Sequence, residues 1–200
     1  MNDAKRIVAI SGTSRPDNYT MRALSVVVDK LRDTGAEVTV FDARELELSF
    51  PGYPNTEDTT RLRAAVVAAD GIVLATPEYH GTFAAMTKLV IENLGFPSDL
   101  QGKPVALLGV AAGRIGAIKS LEQLRGVCAH VGALVLPQPI SIAGIRKVFG
   151  PDGEIVDEAS AAAMRSLGDS LLKFIQDYVE PKEVLESIVR GDGPPWAASV

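Results

Sequence analysis

A doubly wound α/β three-layer sandwich, built on a five-stranded parallel sheet with helices on both faces, is the fold this sequence predicts. Two observations lead there. Five short runs, at residues 6–10, 37–41, 71–76, 105–110 and 134–137, are nearly unbroken in apolar or β-branched side chains, as strands covered on both faces are. Stretches with helical spacing separate them in strict alternation, and that alternation means parallel strands joined by right-handed crossovers.

The elements follow in order. The first run, RIVAI, leads into Met21, Leu24, Val27, Val28 and Leu31, an apolar stripe at three- and four-residue spacing. EVTVF is the second strand, followed by the stripe Leu62, Ala65, Val66 and Ala69. GIVLAT is the third, followed by Met86, Leu89, Val90 and Leu94, and VALLGV the fourth, followed by Leu121, Leu124, Val127 and Val131. LVLP is the fifth strand, and a long helix over about residues 157–178 completes the unit. Gly35, Gly95 and Gly132 stand where helix C-caps belong. With 200 residues, 46% of them hydrophobic, the length fits one compact domain. Residues 1–180 read as that domain and 181–200 as a C-terminal tail. The tail holds a short amphipathic piece at 183–189 and a Gly- and Pro-rich stretch through Trp196, expected on the surface or on a neighbouring subunit.

Composition narrows the partners. Against 25 Asp and Glu stand 20 Lys and Arg, a net charge of -5, which offers no basic field for nucleic acid or for an anionic membrane. No apolar stretch approaches the roughly 18 residues needed to cross a bilayer, and MNDAKRIVAISG lacks a signal-peptide core. A cytoplasmic location is the expectation. The single Cys128, in the apolar stretch LRGVCAHVGA, reads as an inert buried thiol, and His80 and His130 alone make no metal site.

In an open parallel sheet, ligands sit beyond the carboxyl ends of the strands. The loop after the first strand, ISGTSRPDNYTM, gathers Thr13, Ser14, Arg15, Asn18 and Thr20 at the mouth of a helix. It is neither a dinucleotide fingerprint nor a P-loop, since Gly12 is its one glycine and no Gly-Lys-Ser/Thr follows. Free N–H groups at a helix N-terminus favour a phosphate, and these side chains add donors around it. A capping residue alone explains Asn18 or Thr20, but not five polar residues. The loop after the third strand, TPEYHGT, combines a stiff Pro77, the aromatic Tyr79 and a permissive Gly81, a wall for a flat ligand.

Together the two loops resemble the NAD(P)H-dependent FMN reductase family, a flavodoxin-like group that includes quinone, azo-dye and chromate reductases. The family's Gly-Ser-x-Arg-x-x-Ser-x-Asn phosphate loop is matched in spacing by Gly12 to Thr20, with Thr13, Asn18 and Thr20 in place of Ser, Ser and Asn. Its Pro-Glu-Tyr-Asn-Gly-Ser segment is matched by Pro77, Glu78, Tyr79, His80, Gly81 and Thr82, and its following Lys by Lys88. The resemblance covers about residues 5–174. It implies a flavodoxin-like sandwich that binds FMN through Thr13, Ser14, Arg15, Asn18, Tyr19 and Thr20 at the phosphate, and through Pro77, Glu78, Tyr79, His80 and Gly81 at the ring. After the fourth strand, AAGRIGA replaces a loop richer in Ser and Gly, and the backbone of Ala112, Gly113 and Arg114 is expected along the pyrimidine side. His80, standing where the family usually has Asn, either donates a proton to substrate or tunes the ring electrostatically, or else contributes mainly its backbone amide and stacks in the wall; no acid or base residue is strictly demanded.

The activity so implied takes two electrons from NADPH or NADH through FMN to a small-molecule acceptor such as a quinone, a flavin or an azo compound. A flavodoxin-type electron carrier, or an FMN-binding sensor without turnover, shares the cofactor but not the nicotinamide reaction. A hydrolase is disfavoured because no Gly-x-Ser-x-Gly elbow is present. The resemblance also implies a homodimer or homotetramer, for which Phe83, Met86, Phe96 and Trp196 are the apolar candidates.

Overall fold

The computed structural model describes residues 4–191. Trp196 and the Gly- and Pro-rich stretch around it lie outside the described residues. Strands β1 (Arg6–Ser11), β2 (Glu37–Asp42), β3 (Gly71–Tyr79) and β5 (Pro104–Val110) lie in the parallel order β2-β1-β3-β5, and β6 (Leu134–Val135) extends that order beyond β5. Each strand reads as continuously apolar, but the pleat sorts its side chains. Ile7, Ala9, Val73 and Ala75 face one layer, while Val8, Ile10, Ile72 and Leu74 face the other.

Helices α1 (Tyr19–Asp33) and α5 (Glu158–Phe174) form the first layer. Leu24, Val27 and Leu31 of α1 pack with Met164, Leu167 and Leu171 of α5 over the sheet. Helices α2 (Glu57–Ala68), α3 (Ala85–Glu92) and α4 (Ile118–His130) form the second, through Leu62, Val90, Leu121 and Leu124. Gly35, Gly95 and Gly132 have φ of 89°, 79° and 88°, the left-handed geometry in which helices end. After α5 the chain continues through one π-helical turn, Ile175–Val179, into α6 (Glu180–Arg190), so the helix passes through residue 180 without a break. Among the described residues, no helix is long and apolar enough to cross a membrane.

The fifth strand differs from the expected 134–137. It is two pieces: β6 pairs with Pro104 and Val105, and β7 (Ile140–Ile142) pairs with Leu108, Gly109 and Val110 further along the same edge of β5. Pro137 and Pro139 lie between them. Proline donates no N–H to a ladder, so the pairing lapses and resumes past the second proline. Arg125 donates to the carbonyl of Leu136 at 2.9 Å, satisfying one acceptor that the interruption exposes. The second addition is β4 (Thr82–Phe83), an antiparallel return on the end of β3.

Cys128 is fully buried among the α4 contacts to the sheet, and burial pushes its thiol from an ordinary 9.0 up to about 12. The folded thiol therefore keeps its proton where the unfolded one releases it. Its contribution to stability is intact below pH 9.0 and is lost as pH rises toward about 12. Urea unfolding at pH 8 and pH 10 will show wild type losing more stability than Cys128→Ala, by about 1.4 kcal/mol per pH unit above the unfolded value. Equal losses in the two proteins would mean that the thiol is hydrated. In the native protein at pH 8 a thiol reagent will leave Cys128 unmodified.

Candidate functional site

The carboxyl ends of β1, β3, β5 and β7 open into one cleft of about 540 Å³. Its first wall is the loop leaving β1. Gly12 donates its N–H to the carbonyl of Ala75 on β3 at 2.8 Å, which carries the β1–β3 pairing one residue past the strand. Asn18 is the N-cap of α1: its Oδ1 accepts from the N–H of Met21 at 2.7 Å, and its Nδ2 donates to the carbonyl of Arg15 at 2.9 Å. Asn18 is thus a helix cap that also lines the cleft, and its Nδ2 has a second N–H beyond the one given to Arg15. Thr13 is 1% exposed. Its hydroxyl accepts from the N–H of Arg15 and lies 3.3 Å from the hydroxyl of Tyr79.

These inward bonds leave Arg15, Asp17, Asn18, Tyr19 and Thr20 facing the cleft, together with the first N–H groups of α1 that no helical carbonyl can take. Asp17 has φ 46°, a left-handed conformation that Asp tolerates better than most side chains. Ser14 is exposed and lies off the cleft wall.

The second wall is the end of β3, with Pro77, Glu78 and Tyr79 lining the cleft. His80 and Gly81, with φ 51° and 77°, are the central pair of the hairpin between Tyr79 and Thr82. Two positive φ values in a two-residue hairpin loop are the type I′ arrangement, for which Asn-Gly is the favoured pair. His80 fills the Asn place with its side chain exposed, and neither it nor Gly81 lines the cleft. Helix α4 pins this hairpin. Gln123 donates to the carbonyl of Gly81 at 3.0 Å and accepts from the hydroxyl of Thr82 at 2.7 Å. Glu78 accepts from the N–H of Ser120 at 3.1 Å. The N-cap of α4 is Ala117, which brings no side-chain acceptor, so a carboxylate from β3 takes that place at the positive end of the helix.

The loop after β5 contributes Val110, Ala111 and Ala112, while Gly113 and Arg114 lie exposed beyond the wall. It is tied to the turn that follows β7. Ile145 donates to the carbonyl of Ala111 at 3.0 Å, and Gly144 to that of Gly113 at 2.9 Å. That turn brings Ile145 and Arg146 into the cleft. Asp17, Val110, Ala111, Ile145 and Arg146 are wall residues that sequence reasoning missed. The signal for the last two was the stretch ISIAGIRK: a short β-branched run after Pro139, then a glycine and two cations. The cleft so built has an anion-seeking end, at α1 and Arg15, and a partly apolar side with backbone edges, at Pro77, Tyr79 and Ala111.

A family profile described as NADPH-dependent FMN reductase matches residues 5–146. A curated relative, an NADPH azoreductase from Bacillus sp. (strain OY1-2), is 30% identical over 183 residues, which cover 90% of this chain and 98% of the relative. An NAD(P)H-dependent FMN reductase from Pseudomonas aeruginosa is 28% identical over 187 residues, 90% of this chain and 97% of that protein. Among solved structures, the flavoenzyme NAD(P)H:(acceptor) oxidoreductase of Paracoccus denitrificans superposes with a TM-score of 0.71 at 24% identity, covering 88% of this chain and 99% of its own. That likeness is one of fold, and it places the sheet and helices in the flavodoxin-like class.

Thr87, in α3, holds the first two walls together. Its hydroxyl donates to the carbonyl of Gly12 at 2.7 Å and lies 2.9 Å from that of Thr76, all buried. Thr87→Val keeps the shape and removes both bonds, leaving the Gly12 carbonyl without this donor. Urea unfolding will show a loss of about 1–3 kcal/mol. An unchanged midpoint would mean that water replaces the hydroxyl.

Proposed function

This chain belongs to the NADPH-dependent FMN reductase family, and we propose that the cleft above β1, β3 and β5 is where it holds FMN. The protein is an FMN-dependent NAD(P)H oxidoreductase. The observation that carries the assignment of the cleft is its two-ended chemistry: a helix N-terminus with Arg15 at one end, and Pro77, Tyr79 and Ala111 along the side. Those residues fit the cofactor. A phosphate is matched by backbone N–H groups and a guanidinium, and a flat ring by an apolar wall with peptide edges. The volume of about 540 Å³ lies within the range of cofactor pockets.

When bound, FMN supplies the chemistry, taking two electrons from a nicotinamide and passing them to an acceptor. What the chain does is hold and orient. Arg15 and the amides of Tyr19 and Thr20 fix the phosphate, with the backbone of Thr13 and Ser14 shaping the approach. Tyr79, held at Thr13, joins the phosphate end to the ring side. The amide of Ala112, which lines the cleft, is the donor offered to negative charge on the ring. His80 acts by its backbone, through the hairpin that carries Tyr79, and its imidazole is not needed as an acid.

The acceptor we propose is a flat, electron-poor molecule such as a quinone, an azo compound or a free flavin. The azoreductase and FMN reductase names of the two relatives support this. We propose assembly as a homodimer or homotetramer, with Phe96, which is 99% exposed, as its apolar contact. Phe83 and Met86, by contrast, pack partly against their own core. A cytoplasmic setting suits the nicotinamide donor.

An anaerobic visible spectrum of the FMN-loaded protein, before and after NADPH or NADH, tests the reading. Bleaching directly to the two-electron form, reversed by a benzoquinone, is the expected result. Flavin that binds but that neither nicotinamide reduces would favour a carrier or a sensor, and a protein that binds no FMN would sink the assignment of the cleft.

A further inference from the structure

We propose that Arg146, on the turn after β7, is the second guanidinium of the phosphate end, and that the FMN monoester is gripped between it and Arg15. This rests on the reading of the cleft given above. Charge comes first. A phosphate monoester carries about −1.5 to −2 at neutral pH, and the N-terminus of α1 offers roughly +0.5. Arg15 adds one positive charge, but Asp17 brings a carboxylate into the same wall, so the first loop by itself presents little more than the helix end. Arg146 is the other cation in the cleft lining and adds one positive charge, while Glu78, the other carboxylate there, is engaged by the N–H of Ser120.

Position is the second argument. In sheet order β7 lies beyond β5, with two strands between it and β1, yet the chain after it turns back toward α1. Phe149 stacks against Tyr19, the first residue of α1, with ring centroids 6.4 Å apart. Arg146 stands in the 3-10 turn Ile145–Lys147, between that stack and the bonds from Gly144 and Ile145 to the loop after β5. The turn is thus held on both sides, and the guanidinium it carries starts from a fixed base. Arg22 lies 5.2 Å over the same Tyr19 ring but does not line the cleft.

Availability is the third. Arg44, Arg61, Arg63 and Arg165 each have a carboxylate partner. Arg146 is exposed and, among the described residues, makes no ion pair or hydrogen bond. Its planar fork remains open to a bidentate bond with phosphate oxygens. The consequence is discrimination: Arg146 raises affinity for FMN and not for riboflavin, which has the same ring and no phosphate.

The test is titration of full-length apoprotein with FMN and with riboflavin, read by quenching of flavin fluorescence. Arg146→Gln will weaken FMN about 10- to 100-fold, the scale of one lost charge-assisted bond, and leave riboflavin unchanged. Arg146→Lys, which keeps the charge but not the fork, will recover part of the loss. Because the side chain bonds nothing in the fold, both variants keep the wild-type melting temperature. Unchanged FMN affinity overturns the proposal, and if KM for NADPH alone then rises, the guanidinium serves the nicotinamide phosphate instead. Should wild type itself bind neither flavin, the FMN reading of the cleft falls, a result distinct from a variant that binds FMN as well as wild type does.

Discussion

A buried run of hydrogen bonds through two threonine hydroxyls sets the relation between the loops on which this site is built. The hydroxyl of Thr87 donates to the carbonyl of Gly12. Its oxygen also lies 2.9 Å from that of Thr76, which accepts from the N–H of Ala84 at 3.2 Å. The loop after β1, the end of β3 and the start of α3 are joined in this way. In a parallel sheet the loops at the carboxyl edge are otherwise separate, each answerable only to its own strand. The approach is close enough that a Cβ on Gly12 would stand 2.3 Å from the Thr87 oxygen, so glycine at this place is a requirement of distance. Any widening between the two walls leaves buried polar groups unpaired, at about 1–3 kcal/mol each.

The same economy recurs around the cleft, where each wall is secured by the element beyond it. Thr13 meets Tyr79 across the first two loops, and Gln123 and Glu78 tie the hairpin to α4. The turn after β7 is bonded to the loop after β5, and through Phe149 to α1. The bonds close a ring of contacts around the cleft. Rigid placement suits a protein whose chemistry belongs to a bound flavin, because what it contributes is orientation and fixed dipoles. The electrostatics are local as well: a chain with a net charge of -5 still sets Arg15 and Arg146 in the lining of one cleft.

Much of this was legible in the residues. Apolar runs too short for helices, alternating with helical stripes, carry the parallel sandwich, because a strand buried on both faces and a helix buried on one leave different periods. The polar crowd in GTSRPDNYT and the aromatic turn PEYHGT mark two of the walls, since their chemistry is contained in adjacent residues. Asn18 shows where such reading stops: its type says cap or ligand donor, and only the structure shows the cap made, by the bonds to Met21 and Arg15, on a residue that also lines the cleft.

What the tertiary structure alone decided concerns partners distant in the chain. Glu78 caps a helix 42 residues away, and no local pattern says that α4 lacks an acceptor of its own or that this carboxylate will reach it. The split of the fifth strand around Pro137 and Pro139 depends on which part of β5 each half meets, and with it goes the entry of Arg146 into the cleft. The sequence by itself determined the layers, the strand and helix alternation and the first two walls, because burial and turn chemistry act over a few residues. The third wall and the charge balance of the cleft were left to packing, because they are distances between elements, and a distance across a sheet is set by everything that packs on it.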